Sequence, residues 1–175
     1  MNSAVLLLTG VPGVGKTTLI QRLAQRLAGL PLAGFYTQEV RAGKQRAGFR
    51  LVGFAGESGM IAHADFASPY RVGRYGVDVA AIDRLVEAAL SRPAKLYLID
   101  EIGKMECLSS VFVNWIKRLL SEKKRLIATV AKHGGGFIEE VKRWPGVELW
   151  EVTLGNRDAL VDQALAWLRE RGIER

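Results

Sequence analysis

Two short stretches of this sequence carry residue types whose spacing could do chemistry on a phosphate. Gly10 to Thr17, Gly-Val-Pro-Gly-Val-Gly-Lys-Thr, fits G-x-x-x-x-G-K-[ST] without a gap. Gly10, Gly13 and Gly15 can take backbone angles closed to other residues, so successive amides turn inward and cradle phosphate oxygens. Gly10, Val11, Pro12, Gly13, Val14, Gly15, Lys16, Thr17 and Thr18 are therefore read as the nucleotide-phosphate site. Lys16 would reach the β- and γ-phosphates, and Thr17 would offer its hydroxyl to Mg²⁺. The second stretch is Lys95-Leu-Tyr-Leu-Ile-Asp-Glu-Ile-Gly-Lys-Met-Glu106. Asp100, at the end of an apolar strand, is placed to hold Mg²⁺ through a water opposite Thr17. Glu101, the next residue, is placed to orient or deprotonate a water attacking the γ-phosphate. Lys16 and Glu101 are thus the catalytic candidates, Thr17 and Asp100 the metal ligands.

Both stretches have plainer readings: a glycine-rich turn for the first, a solvated acidic turn for the second. Their surroundings argue otherwise. Ala4 to Leu8 is a continuous apolar run that reads as a buried parallel strand, and Leu19, Leu23 and Leu27 recur after the loop at helical spacing. Strand, glycine loop and amphipathic helix occur in the order that phosphate binding needs, with the helix aiming its positive N-terminal end at the same charge.

The remaining elements follow from period and punctuation. The first helix should stop near Gly29, before Pro31. Leu32 to Val40 and Ala47 to Phe54 read as a hairpin with a basic turn containing Arg41, Lys44 and Arg46; Arg50 follows. Gly56 to Tyr70 shows no clear period and reads as loop, with a short edge strand around Met60 to Ala64. A helix capped by Asp78 carries Ile82, Leu85, Val86, Ala89 and Leu90 on one face. After the acidic strand, Ser109 or Ser110 caps a helix bearing Phe112, Val113, Ile116, Leu119 and Leu120. Arg125 to Val130 is a strand, Ile138 to Arg143 a short helix, Val147 to Thr153 the last strand and Arg157 to Arg171 the last helix.

Several further side chains admit two readings. Arg71 and Arg74 flank a glycine ahead of the Asp78 helix; they are either a source of positive charge for a transferring phosphoryl group or part of a plain surface loop. Lys132 and His133 follow a strand end where ligands of open α/β sheets bind, beside a triple glycine that is equally a connection. Asn156 caps the last helix or, with Arg157, contacts the base. Lys104 and Glu106 are read as equally well placed at the surface, and His63 as structural.

At 175 residues, 49% of them hydrophobic, the chain reads as one domain, 1–175. No apolar run approaches the ~20 residues needed to span a bilayer, and Met1 to Ala4 lacks the basic start of an export signal. No membrane association is expected. Cys107 is the sole cysteine, which excludes an internal disulfide and fits a reducing, cytoplasmic setting. The net charge of +7 suits polyanions, nucleotide phosphates or nucleic acid, but no motif indicates nucleic acid. The oligomeric state is open, a monomer being slightly favoured.

Taken together, Gly10 to Thr18, Gly34-Phe-Tyr-Thr-Gln-Glu-Val-Arg41, Gly48-Phe-Arg50, Tyr75-Gly-Val77, Ile99-Asp-Glu-Ile-Gly-Lys-Met-Glu106 and Asn156-Arg-Asp158 resemble one family over nearly the whole chain. It is that of the thermophile-type nucleoside-triphosphatases, which includes the human cancer-related nucleoside-triphosphatase. The resemblance implies an α/β P-loop NTPase, a RecA-like three-layer sandwich with a mostly parallel central sheet and an antiparallel hairpin at one edge. It also implies Mg²⁺-dependent hydrolysis of nucleoside triphosphates to diphosphate and phosphate with broad base tolerance. Arg71 departs from the less basic residue expected there. Two other functions compete: a nucleotide or nucleoside kinase, which would need an acceptor pocket and a lid for which only Gly53 to Gly76 offers residues, and a nucleotide-gated RNA-binding module, which the net charge favours.

Overall fold

The computed structural model describes residues 4–174; residues 1–3, on which the reading of the N-terminus rests, and residue 175 lie outside that range. The elements in chain order are β1 (Val5–Gly10), α1 (Lys16–Arg26), β2 (Leu32–Ala42), β3 (Gln45–Gly53), β4 (Ser58–His63), β5 (Arg71–Val72), β6 (Tyr75–Val77) and α2 (Val79–Leu90). They continue with β7 (Leu96–Ile102), a 3₁₀ turn at Glu106–Leu108, α3 (Ser110–Ser121), β8 (Leu126–Ala131), α4 (Phe137–Lys142), β9 (Val147–Glu151) and α5 (Arg157–Arg169).

Among the described residues nine strands join one sheet in the order β5-β6-β4-β3-β2-β7-β8-β1-β9. From β2 to β9 every pairing is parallel; from β2 outward to β5 every pairing is antiparallel. The sheet is therefore mixed, and the expectation of a mostly parallel sheet with one edge hairpin is corrected: β4, β5 and β6 extend that hairpin. These strands are six, two and three residues long, too short for alternation to show. Met60 to Ala64, expected at an edge, lies mainly in β4 between β3 and β6, and the edge is β5. Much of the Gly53 to Gly76 stretch weighed as a lid is thus sheet.

Alternate side chains of β1 feed two cores. Val5 and Leu7 pack with α2 and α3 residues such as Ile82, Val86, Phe112 and Ile116 on one face. Leu6 and Leu8 pack with Leu19, Leu23, Leu160 and Ala164 of α1 and α5 on the other. Sequestering each such aliphatic or aromatic side chain stabilises the fold by roughly 1.5–3 kcal/mol before entropy is counted. Two caps fall where the sequence puts them: Asp78 accepts the Ala81 amide at 2.9 Å, and Ser109 accepts that of Phe112 at 3.0 Å. Gly34, with φ +126°, lets β2 approach β7 closely; a methyl there would overlap the Leu98 carbonyl.

Candidate active site

The phosphate loop leaves β1 at Gly10 and enters α1 at Lys16. Its geometry depends on glycine at two kinds of position. Gly13 and Gly15 hold φ of +80° and +113°, whereas a methyl on Gly10 would meet the Val152 carbonyl at 2.7 Å. Val14 points into the core and is buried, so only its backbone is available to a ligand. Lys16, 9% exposed, donates through Nζ to the Gly10 carbonyl at 2.6 Å and lies 3.5 Å from Glu101 Oε2.

Asp100 is the hub. It is 1% exposed, at the carboxyl end of β7, and gathers hydroxyls from three other elements. Thr17 Oγ1 of α1 donates to Oδ2 at 2.7 Å and Thr129 Oγ1 of β8 to Oδ1 at 2.7 Å. The amide and hydroxyl of Thr37 on β2 both donate to Oδ2 at 3.4 Å. Burial raises its affinity for a proton, and these hydrogen bonds oppose that shift. Glu101 is less enclosed. Burial raises its pKa most, the Lys16 ammonium lowers it, and the Asp100 charge raises it again.

Glu106 corrects the reading that gave it an even chance of lying at the surface. It is 6% exposed, and its carboxyl is pushed up to about 8 by burial first and by the charge of Glu101 second. Glu101 Oε1 and Glu106 Oε2 both press on Gly103, where a methyl would sit 2.9 Å and 3.0 Å from them. Cys107, the next residue, has its thiol pushed up to about 12, chiefly by burial, and is therefore a poor nucleophile.

Arg157, at the start of α5, lies across the loop: its Nη1 donates to the Val14 carbonyl at 3.2 Å. Together with Gly15, Thr18, Leu19, Arg22, Asp158 and Val161 it lines a groove of ≈180 Å³ beside the loop. Asn156 does not cap α5 through its side chain. Its Oδ1 accepts the Thr153 amide at 2.7 Å and its Nδ2 donates to the Glu151 carbonyl at 2.8 Å, which fixes the turn ahead of Arg157.

The other candidates are engaged elsewhere. Arg71 donates to the Arg74 carbonyl, and Arg74 donates to the carbonyl of Arg46 in the β2–β3 hairpin and stacks over Tyr75. Lys132 pairs with Glu151 at 3.1 Å. His63 accepts the Asp65 amide through Nδ1 at 3.0 Å, in keeping with a structural role. A larger cavity of ≈370 Å³, lined by Phe66 to Tyr70 and Val77 to Ala80, lies at the antiparallel side of the sheet.

Thr37, Thr129 and the burial of Glu106 are what the sequence reading missed. Thr129 left a signal, a hydroxyl near the carboxyl end of the otherwise apolar run Leu-Ile-Ala-Thr-Val. Thr37 left almost none, since threonine is common in strands.

The chain is similar to known proteins along most of its length. A family profile described as NTPase matches residues 5–165. The nucleoside-triphosphatase THEP1 of Thermotoga maritima is 39% identical over 167 residues, covering 94% of this chain and 95% of that protein. The cancer-related nucleoside-triphosphatase of Homo sapiens is 37% identical, covering 88% of this chain and 90% of that one. The crystal structure of THEP1 from Aquifex aeolicus superposes with a TM-score of 0.86 at 34% identity, covering 93% of this chain and 97% of that one. With a matching profile over most of its length, relatives aligned nearly end to end and the same α/β fold, the chain belongs to the NTPase family, that of the THEP1 and cancer-related nucleoside-triphosphatases.

Proposed function

We propose that this enzyme hydrolyses nucleoside 5′-triphosphates with Mg²⁺ to the diphosphate and phosphate, accepting ATP, GTP, CTP and UTP, as a single RecA-like P-loop domain acting in the cytoplasm. The position of Glu101 carries the reading: it follows the buried acid Asp100 directly and faces Lys16 at 3.5 Å. A glutamate beside the γ-phosphate position recruits water as nucleophile, whereas transfer to another acceptor requires water to be kept out. Burial raises the pKa of the Glu101 carboxyl, which makes it a stronger base toward the attacking water, and the Lys16 ammonium opposes that shift.

Lys16 would bind phosphate oxygens from a stem held at the start of α1, and the loop amides would hold the β-phosphate. Thr17 Oγ1 and the Asp100 carboxylate, 2.7 Å apart, are hard oxygen donors of the kind Mg²⁺ prefers. They would hold the ion, which when bound with nucleotide neutralises charge across the β- and γ-phosphates. Thr37 and Thr129 keep Asp100 oriented toward Thr17. The groove under Arg157 offers aliphatic and guanidinium surface, suited to stacking on any base rather than reading one base edge, which supports broad tolerance. The five parallel strands, with β8 between β1 and β7, support the RecA-like assignment. Among the described residues no helix is long and apolar enough to cross a membrane.

The test is phosphate release from the four triphosphates with Mg²⁺, comparing the wild type with Lys16→Ala and Glu101→Gln. Lys16→Ala should weaken both binding and turnover. Glu101→Gln should still bind nucleotide but turn over at least ~100-fold more slowly. A wild type that binds nucleotide yet releases no phosphate refutes the hydrolase reading.

A further inference from the structure

Among the described residues, the mechanism above leaves one buried acid without a task. Glu106 opens the 3₁₀ turn after β7, and its backbone is fixed there: the Cys107 amide donates to the Gly103 carbonyl at 3.0 Å and the Ser109 amide to the Glu106 carbonyl at 3.0 Å. That turn swings the Glu106 side chain back against Gly103, the same backbone point that Glu101 presses on from the other direction. The two carboxyl oxygens lie 2.9 Å and 3.0 Å from the place a Gly103 methyl would take, so their separation is at most the sum of those distances. Glu101 is thereby divided between two neighbours, with Oε2 toward the Lys16 ammonium and Oε1 toward the side that Glu106 closes.

We propose that Glu106 is a positioning residue for Glu101: a buried carboxylic acid that closes off the Oε1 side and holds the Glu101 carboxylate in the orientation that leaves Oε2 for the phosphate end of the site. This rests on the hydrolase reading, since it assigns Glu106 a role only through the water-activating glutamate. The physical need is clear. Glu101 has three rotatable bonds before its carboxyl, and a general base a fraction of an ångström out of place loses much of its effect. The Glu106 carboxyl is itself fixed, accepting backbone hydrogen bonds at Gly103 and at its own residue, so it presents a set surface to the Oε1 side of Glu101. The groups facing Glu106 are Glu101 and Asp100, with the Cys107 thiol next in the chain.

The experiment is a double-mutant cycle at pH 7 with Mg²⁺ and ATP, using wild type, Glu106→Ala, Glu106→Gln, Glu101→Gln and the double variant Glu101→Gln/Glu106→Ala. Fluorescent-nucleotide binding is measured on each. Glutamine keeps the size and an acceptor oxygen for the backbone, so Glu106→Gln should retain kcat within about 3-fold. Glu106→Ala should lose at least ~10-fold in kcat with KM changed less than ~3-fold, because the phosphate loop is untouched. In the Glu101→Gln background the same truncation should cost less than ~2-fold, since there is no base left to position. A role confined to stability would give equal losses in both backgrounds and overturns the proposal, as does a Glu106→Ala enzyme with wild-type kcat or a Glu106→Gln enzyme as slow as the alanine variant. If Glu106→Ala fails to bind nucleotide, Glu106→Gln alone decides: retention of kcat supports the proposal and a 10-fold loss overturns it. A wild type that releases no phosphate overturns the hydrolase reading and this proposal together; a hydrolysing wild type with any contrary outcome above overturns this proposal alone.

Discussion

Replacing Glu106 by glutamine should make the protein more stable, by an amount that grows with pH. The folded chain holds the Glu106 proton up to about pH 8, against an ordinary value of 4.5. Between those values the folded state binds more protons at this position than the unfolded state, so stability falls as pH rises through the window and levels off above it. Each pH unit within the window corresponds to about 1.4 kcal/mol, which gives a penalty near 1 kcal/mol at pH 5 and about 4 kcal/mol at pH 8. Glutamine has no proton to lose and nearly the same shape, so Glu106→Gln should exceed the wild type by those amounts. Urea unfolding of both proteins at pH 5, 7 and 8 measures the difference directly, and groups common to both largely cancel. A stability gap that stays constant across that range would refute the argument. So would a gap that shrinks as pH rises, which would mean that Glu106 is ionised and compensated in the fold.

Three further outcomes follow from neighbouring contacts. Gly103→Ala puts a methyl 2.9 Å from Glu101 Oε1 and 3.0 Å from Glu106 Oε2; steady-state phosphate release should show kcat reduced at least ~10-fold with KM little changed, and an unaltered kcat would contradict the crowding. Thr129→Val deletes a buried hydroxyl that donates to Asp100 at 2.7 Å and should cost about 1–3 kcal/mol in urea unfolding, since it removes a donor from a buried carboxylate. Arg157→Ala removes one wall of the groove beside Gly15; titration with fluorescent nucleotide should show affinity reduced about 10-fold, and unchanged affinity would remove Arg157 from the binding site.

The legible part of the protein was the part governed by local rules. Gly10 to Thr17 declares its turn because only glycine tolerates φ of +80° or +113°, and the parallel strands declare themselves as unbroken apolar runs because both faces are covered. Asp100 and Glu101 were legible because an acid at the end of such a run needs a reason to be there. What stayed hidden depends on residues far apart in sequence. Thr37 and Thr129 are ordinary strand residues until the sheet order brings them to Asp100, 63 and 29 residues away. The burial of Glu106 was not legible because, with Lys104, it reads as part of an ordinary polar turn, and only the 3₁₀ turn folds it back against Gly103. The antiparallel extension was misjudged because β5 and β6 are held by pairing partners rather than by any pattern of their own.

The place of β8 in the sheet also has a consequence for how the enzyme comes into being. Residues 32–77 form β2 to β6 from neighbouring hairpins, pairings that close over short loops and are reached quickly. The parallel half must instead bring β1 together with strands more than a hundred residues later, and β8 must come to lie between β1 and β7. Thr17 meets Asp100 across 83 residues of chain, and only once those strands are in register. Competence for chemistry should therefore be acquired last. During refolding from urea, the recovery of strand signal should run ahead of the recovery of phosphate release; simultaneous recovery would mean that the hairpins and the parallel strands form in a single concerted step.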